Sequence, residues 1–217
     1  MKTVSLLFQH KDFIVINKPA GIAVQRDTHD RNFLIETAAA FGLPRLWLVH
    51  RLDRDTSGVL ILAYSTKAAT VLGKMFSKHC VAKTYLAPSD AKPSKKQGWV
   101  KGGMAKSRNG CWKLTRESGN WAVTQFQMVS IIPPLRLFVL RPQTGRTHQL
   151  RVAMKSLGSP ILGDRRYGGG DADRMFLHAW RLAFEYEGQH FCIDAPLSED
   201  WKFGAVCLEM AESLMAC

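Results

Sequence analysis

No stretch of this sequence approaches the roughly 20 consecutive apolar residues that a membrane helix needs. The apolar run Val4–Phe8 is too short to serve as the core of a signal peptide. The five cysteines, Cys80, Cys111, Cys192, Cys207 and Cys217, are odd in number and include no C-x-x-C pair, which speaks against a disulfide or zinc framework and for reduced thiols. His50, His148 and His178 follow no H-x-x-x-H spacing, so no metal is expected. Gly145-Arg146-Thr147 lacks the upstream glycine and the lysine of a P-loop, and Gly168-Gly169-Gly170 has no strand-to-helix G-x-G-x-x-G context. Ser57 lies in Thr-Ser-Gly and not in G-x-S-x-G, which leaves a hydrolase triad with little support. Acidic residues are few: 18 Asp+Glu against 30 Lys+Arg, a net charge of +12. An acidic solubility module or tail is thereby excluded. A soluble, cytoplasmic protein is expected.

What the chain does have is size and positive charge. At 217 residues, size scaling buries roughly 70% of the unfolded surface, enough for a core without staples. The charge favours a polyanionic partner, because each phosphate neutralised by Lys or Arg releases counterions. It is densest in Lys92–Arg116, which holds eight cations, no acidic residue, four glycines, and Trp99 and Trp112 as aromatic anchors. Two readings fit this segment equally: a solvated hairpin insertion, or an arm that tracks phosphates through Lys95, Lys96 and Lys101.

Pattern and punctuation predict strands at Val4–Gln9, Asp12–Asn17, Leu46–Val49, Val59–Tyr64, Ala82–Ala87, Val123–Ile132 and Leu135–Leu140, and a hairpin of Phe176–Tyr186 with His190–Asp194. Helices are predicted over Asn32–Phe41, capped by Asp30 or Asn32, from Ser65 or Thr66 to about Lys78, over Thr147–Leu157, and in the tail from Ser198. There is no repeat, long linker or composition break. One α+β domain over residues 1–217 is expected, since strands dominate and helices are interspersed irregularly.

Two polar clusters could carry chemistry. His50-Arg51-Leu52-Asp53-Arg54-Asp55-Thr56-Ser57-Gly58 is a charged loop bracketed by apolar strands. An extended chain there turns Leu52 to the core and puts Arg51, Asp53 and Asp55 on the other side. An aspartate among arginines stays ionised, which suits a nucleophile or base. A capped turn with an ordinary surface ion pair explains Asp55 better and leaves Asp53 undecided. The second cluster, Arg141 to Arg151, places a Thr-Gly turn at a helix start, where free N–H groups and Arg141, Arg146 and Arg151 attract an anion.

His50–Gly58 resembles the signature of the RluA-type pseudouridine synthases. Asn17-Lys18-Pro19-Ala20-Gly21 resembles their first motif, Lys83-Thr84-Tyr85-Leu86-Ala87 their tyrosine motif, and Arg141–Arg151 continued through Gly158–Asp164 to Tyr167-Gly168 their third. Leu177-His178-Ala179 resembles a late hydrophobic element. These landmarks run in family order from about residue 12 to 196.

The resemblance implies a mixed, mostly antiparallel sheet with flanking helices and a central RNA-binding cleft, and isomerisation of uridine to pseudouridine without a cofactor. It makes Asp53 the catalytic aspartate, Tyr85 the platform for the target base, Arg151 the partner of Asp53, Leu177 a wall of the pocket, and Arg51 the occupant of the space left by the flipped nucleotide. It also implies that the small N-terminal RNA-binding domain of many relatives is absent. Target selection then falls to the catalytic domain and the basic segment. Structured RNA, ribosomal or transfer, is the expected partner, with a monomer acting and no membrane or nucleotide cofactor involved. The reaction exchanges a C–N for a C–C glycosidic bond with no net redox change. It needs a carboxylate near the sugar, either to attack C1′ or to remove the C2′ proton. It also needs a base taken out of its stack. A non-catalytic RNA-binding protein of the same fold and an N-glycosidase using Asp53 are the rival readings. The glycosidase is the weaker, because only Asp55 is at hand as a second carboxylate.

Overall fold

The computed structural model describes residues 4–24, 33–117, 119–201 and 204–215. In chain order the elements are β1 Ser5–Gln9, β2 Phe13–Lys18, α1 Phe33–Ala40, β3 Trp47–Leu48, β4 Thr56–Ala63, α2 Thr66–Ser77, β5 Ala82–Ser89, β6 Gln97–Lys106, β7 Trp112–Thr115, β8 Trp121–Ile132, β9 Leu135–Pro142, α3 Gln149–Ser156, β10 Leu177–Tyr186, β11 Gln189–Asp194 and α4 Gly204–Ser213. The class is α+β, with many strands and few helices. Among the described residues no helix is long and apolar enough to cross a membrane. The expected caps Asp30 and Asn32 lie outside the described residues, as does Cys217.

The chain divides into two compact units, Met1–Ala82 with Ala179–Leu197, and Lys83–His178 with Ser198–Cys217. Each is assembled from segments distant in sequence, so no linker marks the division. In the first unit the strand order is β1-β2-β4-β10, with β3 on β4 and β11 on β10. β4 is buried at all eight residues, which explains its unbroken apolar run Val59–Ala63. Ser65 caps α2 by accepting from the Ala68 amide at 3.1 Å. Ala68 and Leu72, one turn apart on α2, enter a core with Phe13, Val15, Val59, Ile61 and Phe184. Gly58 opens β4's apolar run at φ +114°, where an added Cβ would lie 2.1 Å from the Ala179 carbonyl oxygen. No side chain fits there.

The second unit has the order β5-β9-β8-β6-β7. Leu150, Met154 and Leu157, the stripe expected of α3, pack with Ala87, Phe126, Phe138 and Leu140 on one face of this sheet. Leu137 and Val139 alternate to the opposite face and are also buried. There α4 packs against β8 and β9. The basic segment is no appendage: β6 pairs with β8 from Gln97↔Gln127 to Gly103↔Trp121 and with β7 on its other edge. Gly103 is a packing requirement, since a Cβ there would meet the Glu117 carbonyl oxygen at 2.4 Å.

Candidate active site

In the first unit, the loop carrying Asp53 is tied down by a lysine. Lys18 ends β2 and is completely buried. Its Nζ donates to the carbonyls of Pro19 at 2.8 Å, Ile22 at 2.9 Å and Arg54 at 3.2 Å. A buried ammonium is tolerated only with such acceptors around it. The Gly21 amide donates to the same Arg54 carbonyl at 2.8 Å, and Arg54 Nε returns a bond to the Gly21 carbonyl at 3.3 Å. The Asn17–Gly21 turn and the His50–Gly58 loop are thus laced together by one backbone bond and two side-chain donors. The Thr56 amide closes a turn onto the Asp53 carbonyl at 3.1 Å. Leu52 is buried, Asp53 half-buried and Arg51 exposed, the alternation expected of an extended strand entering a turn. His50 serves the fold. Its ring stacks on Phe76 at 4.2 Å, and its Nε2 accepts from the Ile61 amide at 3.0 Å.

In the second unit, the arginine loop before α3 is organised by Gln149. Its Oε1 accepts from Thr144 Oγ1 at 2.7 Å and from the Arg146 amide at 2.9 Å. Its Nε2 donates to the Val123 carbonyl and to Thr124 Oγ1, both at 3.0 Å. All four of its polar contacts are met inside the fold, as burial demands. His148 caps the helix in the left-handed region, φ +56°, so the first helical residue is Gln149 and not Thr147.

Arg151, two residues on, is held by Asp164. Nε donates to Oδ2 and Nη2 to Oδ1, each at 2.7 Å, with Arg151 8% and Asp164 1% exposed. The guanidinium lies 4.8 Å above the Tyr167 ring. Tyr167 Oη accepts from the Trp112 amide at 2.9 Å and shares a hydrogen bond with His148 Nδ1, also at 2.9 Å. Burial pushes the Tyr167 phenol above its ordinary value, which keeps it a neutral phenol. Tyr85, half-buried opposite Leu140, packs against the cluster that holds Leu150 and Leu177. Leu177 is itself 3% exposed and belongs to that core. Lys83 reaches the Thr144 carbonyl at 3.5 Å, and burial lowers its ammonium's affinity for the proton.

The structure places Tyr85, Arg151 and Leu177 in the second unit, the first and last of them in one apolar cluster, and Arg51 and Asp53 in the first. Lys95, Lys96, Lys101 and Arg146 are exposed. Arg141 is turned elsewhere. Its Nη1 donates to Gln127 Oε1 and its Nη2 to the Leu214 carbonyl and Met215 sulfur, so the expected phosphate ligand is an anchor for the end of α4. Sequence reasoning assigned no role to Lys18, Asp164 or Tyr167, although each lies inside one of the family-like motifs.

The sequence profile of the RNA pseudouridylate synthase family matches residues 12–156, more than half of the chain. The chain belongs to that family. It is an isomerase of the RluA type. An uncharacterized RNA pseudouridine synthase of Haemophilus influenzae is 52% identical over 185 residues, covering 84% of this chain and 83% of that one. The ribosomal large subunit pseudouridine synthase C of Rickettsia conorii is 37% identical over 205 residues, covering 88% of this chain and 67% of its own. Among solved structures, human RNA pseudouridylate synthase domain containing 4 superposes with a TM-score of 0.76 at 27% identity, covering 96% of this chain and 93% of that one.

Proposed function

We propose that this pseudouridine synthase isomerises specific uridines in structured RNA, ribosomal or transfer, with Asp53 as the reacting carboxylate. The two compact units act as one catalytic domain, a monomer working in the cytoplasm without a cofactor. Tyr85 stacks on the target base, Arg151 holds charge at the reaction centre, Leu177 helps wall the pocket, and Arg51 fills the space the flipped nucleotide leaves. Arg146, Lys95, Lys96 and Lys101 meet phosphates. During turnover the C1′–N1 bond breaks, the detached uracil rotates, and a C5–C1′ bond forms. The C5 proton passes to water and N1 takes up a proton, so atoms and electrons balance.

The observation that carries this reading is the buried Lys18, whose ammonium joins the Pro19 and Ile22 carbonyls of its own turn to the Arg54 carbonyl of the Asp53 loop. A loop that only bound phosphate gains little from such immobilisation. A carboxylate that must meet a sugar carbon has to be held to within about 0.5 Å. Its test is release of tritium from RNA labelled at uridine C5. The wild-type chain is expected to release label, while Asp53→Asn and Asp53→Ala release none and bind RNA within a few-fold of wild type. Turnover in either variant overturns the assignment of Asp53. Binding without release by the wild type leaves an RNA-binding module, and abasic sites in place of pseudouridine mark a glycosidase.

A further inference from the structure

Among the described residues, one helix lies over part of the outer face of the second unit's sheet, and the Glu117 and Gly119 carbonyls close over Gly103. α4 packs over β8 and β9. Beyond it, β6 and the start of β8 carry Trp99 at 45% and Trp121 at 44% exposure. Alternation and register put both rings on one face. Trp99 lies opposite Gln125 and Trp121 opposite Gly103, with Lys101 opposite Val123 between them. The rings stand about 13 Å apart along the strands, at roughly 3.3 Å per residue. Lys101 Nζ sits 5.1 Å from the Trp99 centroid. Lys113, opposite Ala105 on β7, shares this side. Trp112 faces the other way, into a cluster with Met104 and Tyr167.

Each tryptophan leaves close to half of its surface in solvent, where its indole can meet a flat partner. The charge around them defines the occupant. Residues 97–132 contain Lys101, Lys106, Arg108, Lys113 and Arg116 but a single carboxylate, Glu117. The patch is also continuous with the arginine loop, because Arg146 Nε donates to the Trp121 carbonyl at 3.1 Å and the Val123 amide donates to Thr144 Oγ1 at 3.0 Å. Flat aromatic faces interleaved with cations form a stacking platform for unpaired nucleotides, which need no particular sequence because every base has a π-face.

We infer that the Trp99–Lys101–Trp121 face binds an unpaired strand of the substrate RNA, with bases stacked on the two indoles and phosphates on Lys101, Lys113 and Arg146. The inference rests on the reading of this chain as an enzyme acting on RNA and adds a second contact outside the reacting residues.

The test uses the full chain and a fluorescein-labelled octauridylate, read by anisotropy. Trp99→Ala with Trp121→Ala should weaken binding about 10-fold or more, while the double Phe variant, which keeps a stacking ring, should stay within about 3-fold of wild type. Melting temperatures are measured alongside, and affinities are compared at a temperature at which every variant is folded. Unchanged affinity in the double Ala variant overturns the platform. So does a concentration-dependent dimer, seen by sedimentation, that disappears in that variant while octauridylate affinity holds, since the face is then an interface between copies. Tritium release from C5-labelled RNA is measured in parallel. A wild type that binds octauridylate through the tryptophans but releases no label refutes the enzymatic reading and leaves the binding face standing.

Discussion

Arg151 and Asp164 form a two-point ion pair, both bonds 2.7 Å, in which neither partner is more than 8% exposed. Asp164 also accepts from the Tyr167 amide at 3.3 Å, and its carbonyl takes the amides of Tyr167 and Gly169. One turn thus sets both the carboxylate under the guanidinium and the ring that the guanidinium covers. Asp164→Ala removes the buried carboxylate that makes both of these bonds, and a loss of about 3 kcal/mol is expected. Urea unfolding of the variant measures it. A loss below about 1 kcal/mol would show that the pair is not formed.

Gly58→Ala should be among the most damaging single substitutions in the first unit. The methyl group meets backbone, not a movable side chain, and the residue sits at positive φ. Loss of soluble protein, or of more than about 3 kcal/mol, is expected. Gly145→Ala is the control. Nothing lies within 4 Å of its added Cβ, so stability should stay within about 1 kcal/mol of wild type.

Arg141→Ala separates two roles for one side chain. The guanidinium bonds to Gln127 and to the end of α4. The expected result is faster hydrogen exchange in the amides of residues 204–215, with the salt dependence of RNA binding unchanged. A salt slope lower by about one, with α4 still protected, would return Arg141 to the phosphates.

Acid should loosen the segment leading to α4. Arg174 grips both oxygens of Asp200, and the Ser198 hydroxyl adds a third bond. Hydrogen bonding to Arg174 brings the Asp200 carboxyl down from 3.8 to about 2. A depressed folded-state value stabilises above the unfolded one. The contribution is therefore complete above about pH 4 and disappears as pH falls toward about 2. Asp200→Asn should show a smaller drop in urea midpoint between about pH 5 and about pH 2.5 than wild type. Equal drops in the two proteins would refute this coupling.

Strands and helices with a clear apolar period were readable from the chain: α2 with its Ser65 cap, the Leu150/Met154/Leu157 stripe, and the hairpin turning at Glu187-Gly188. β6 was not, because glycines and lysines hide a strand whose spacing is set by neighbours approaching Gly102 and Gly103. The site divides in the same way. Leu52 buried beside an exposed Arg51 follows from alternation. The burial of Lys18 does not, since one of its three carbonyls belongs to Arg54, 36 residues along the chain. Asp164 and Arg141 are alike in this: partner choice is a property of the packed molecule. A resemblance can point to such residues, but periodicity cannot.

The lysine clasp has a consequence for anyone who would move this chemistry to another scaffold. The nine letters from His50 to Gly58 do not hold their own shape. They borrow it from a turn encoded much earlier, through a cation that solvent never reaches. Grafted alone they would carry Asp53 on a slack tether. The transplantable part is the pair of hairpin ends sewn together, with the ammonium as the stitch.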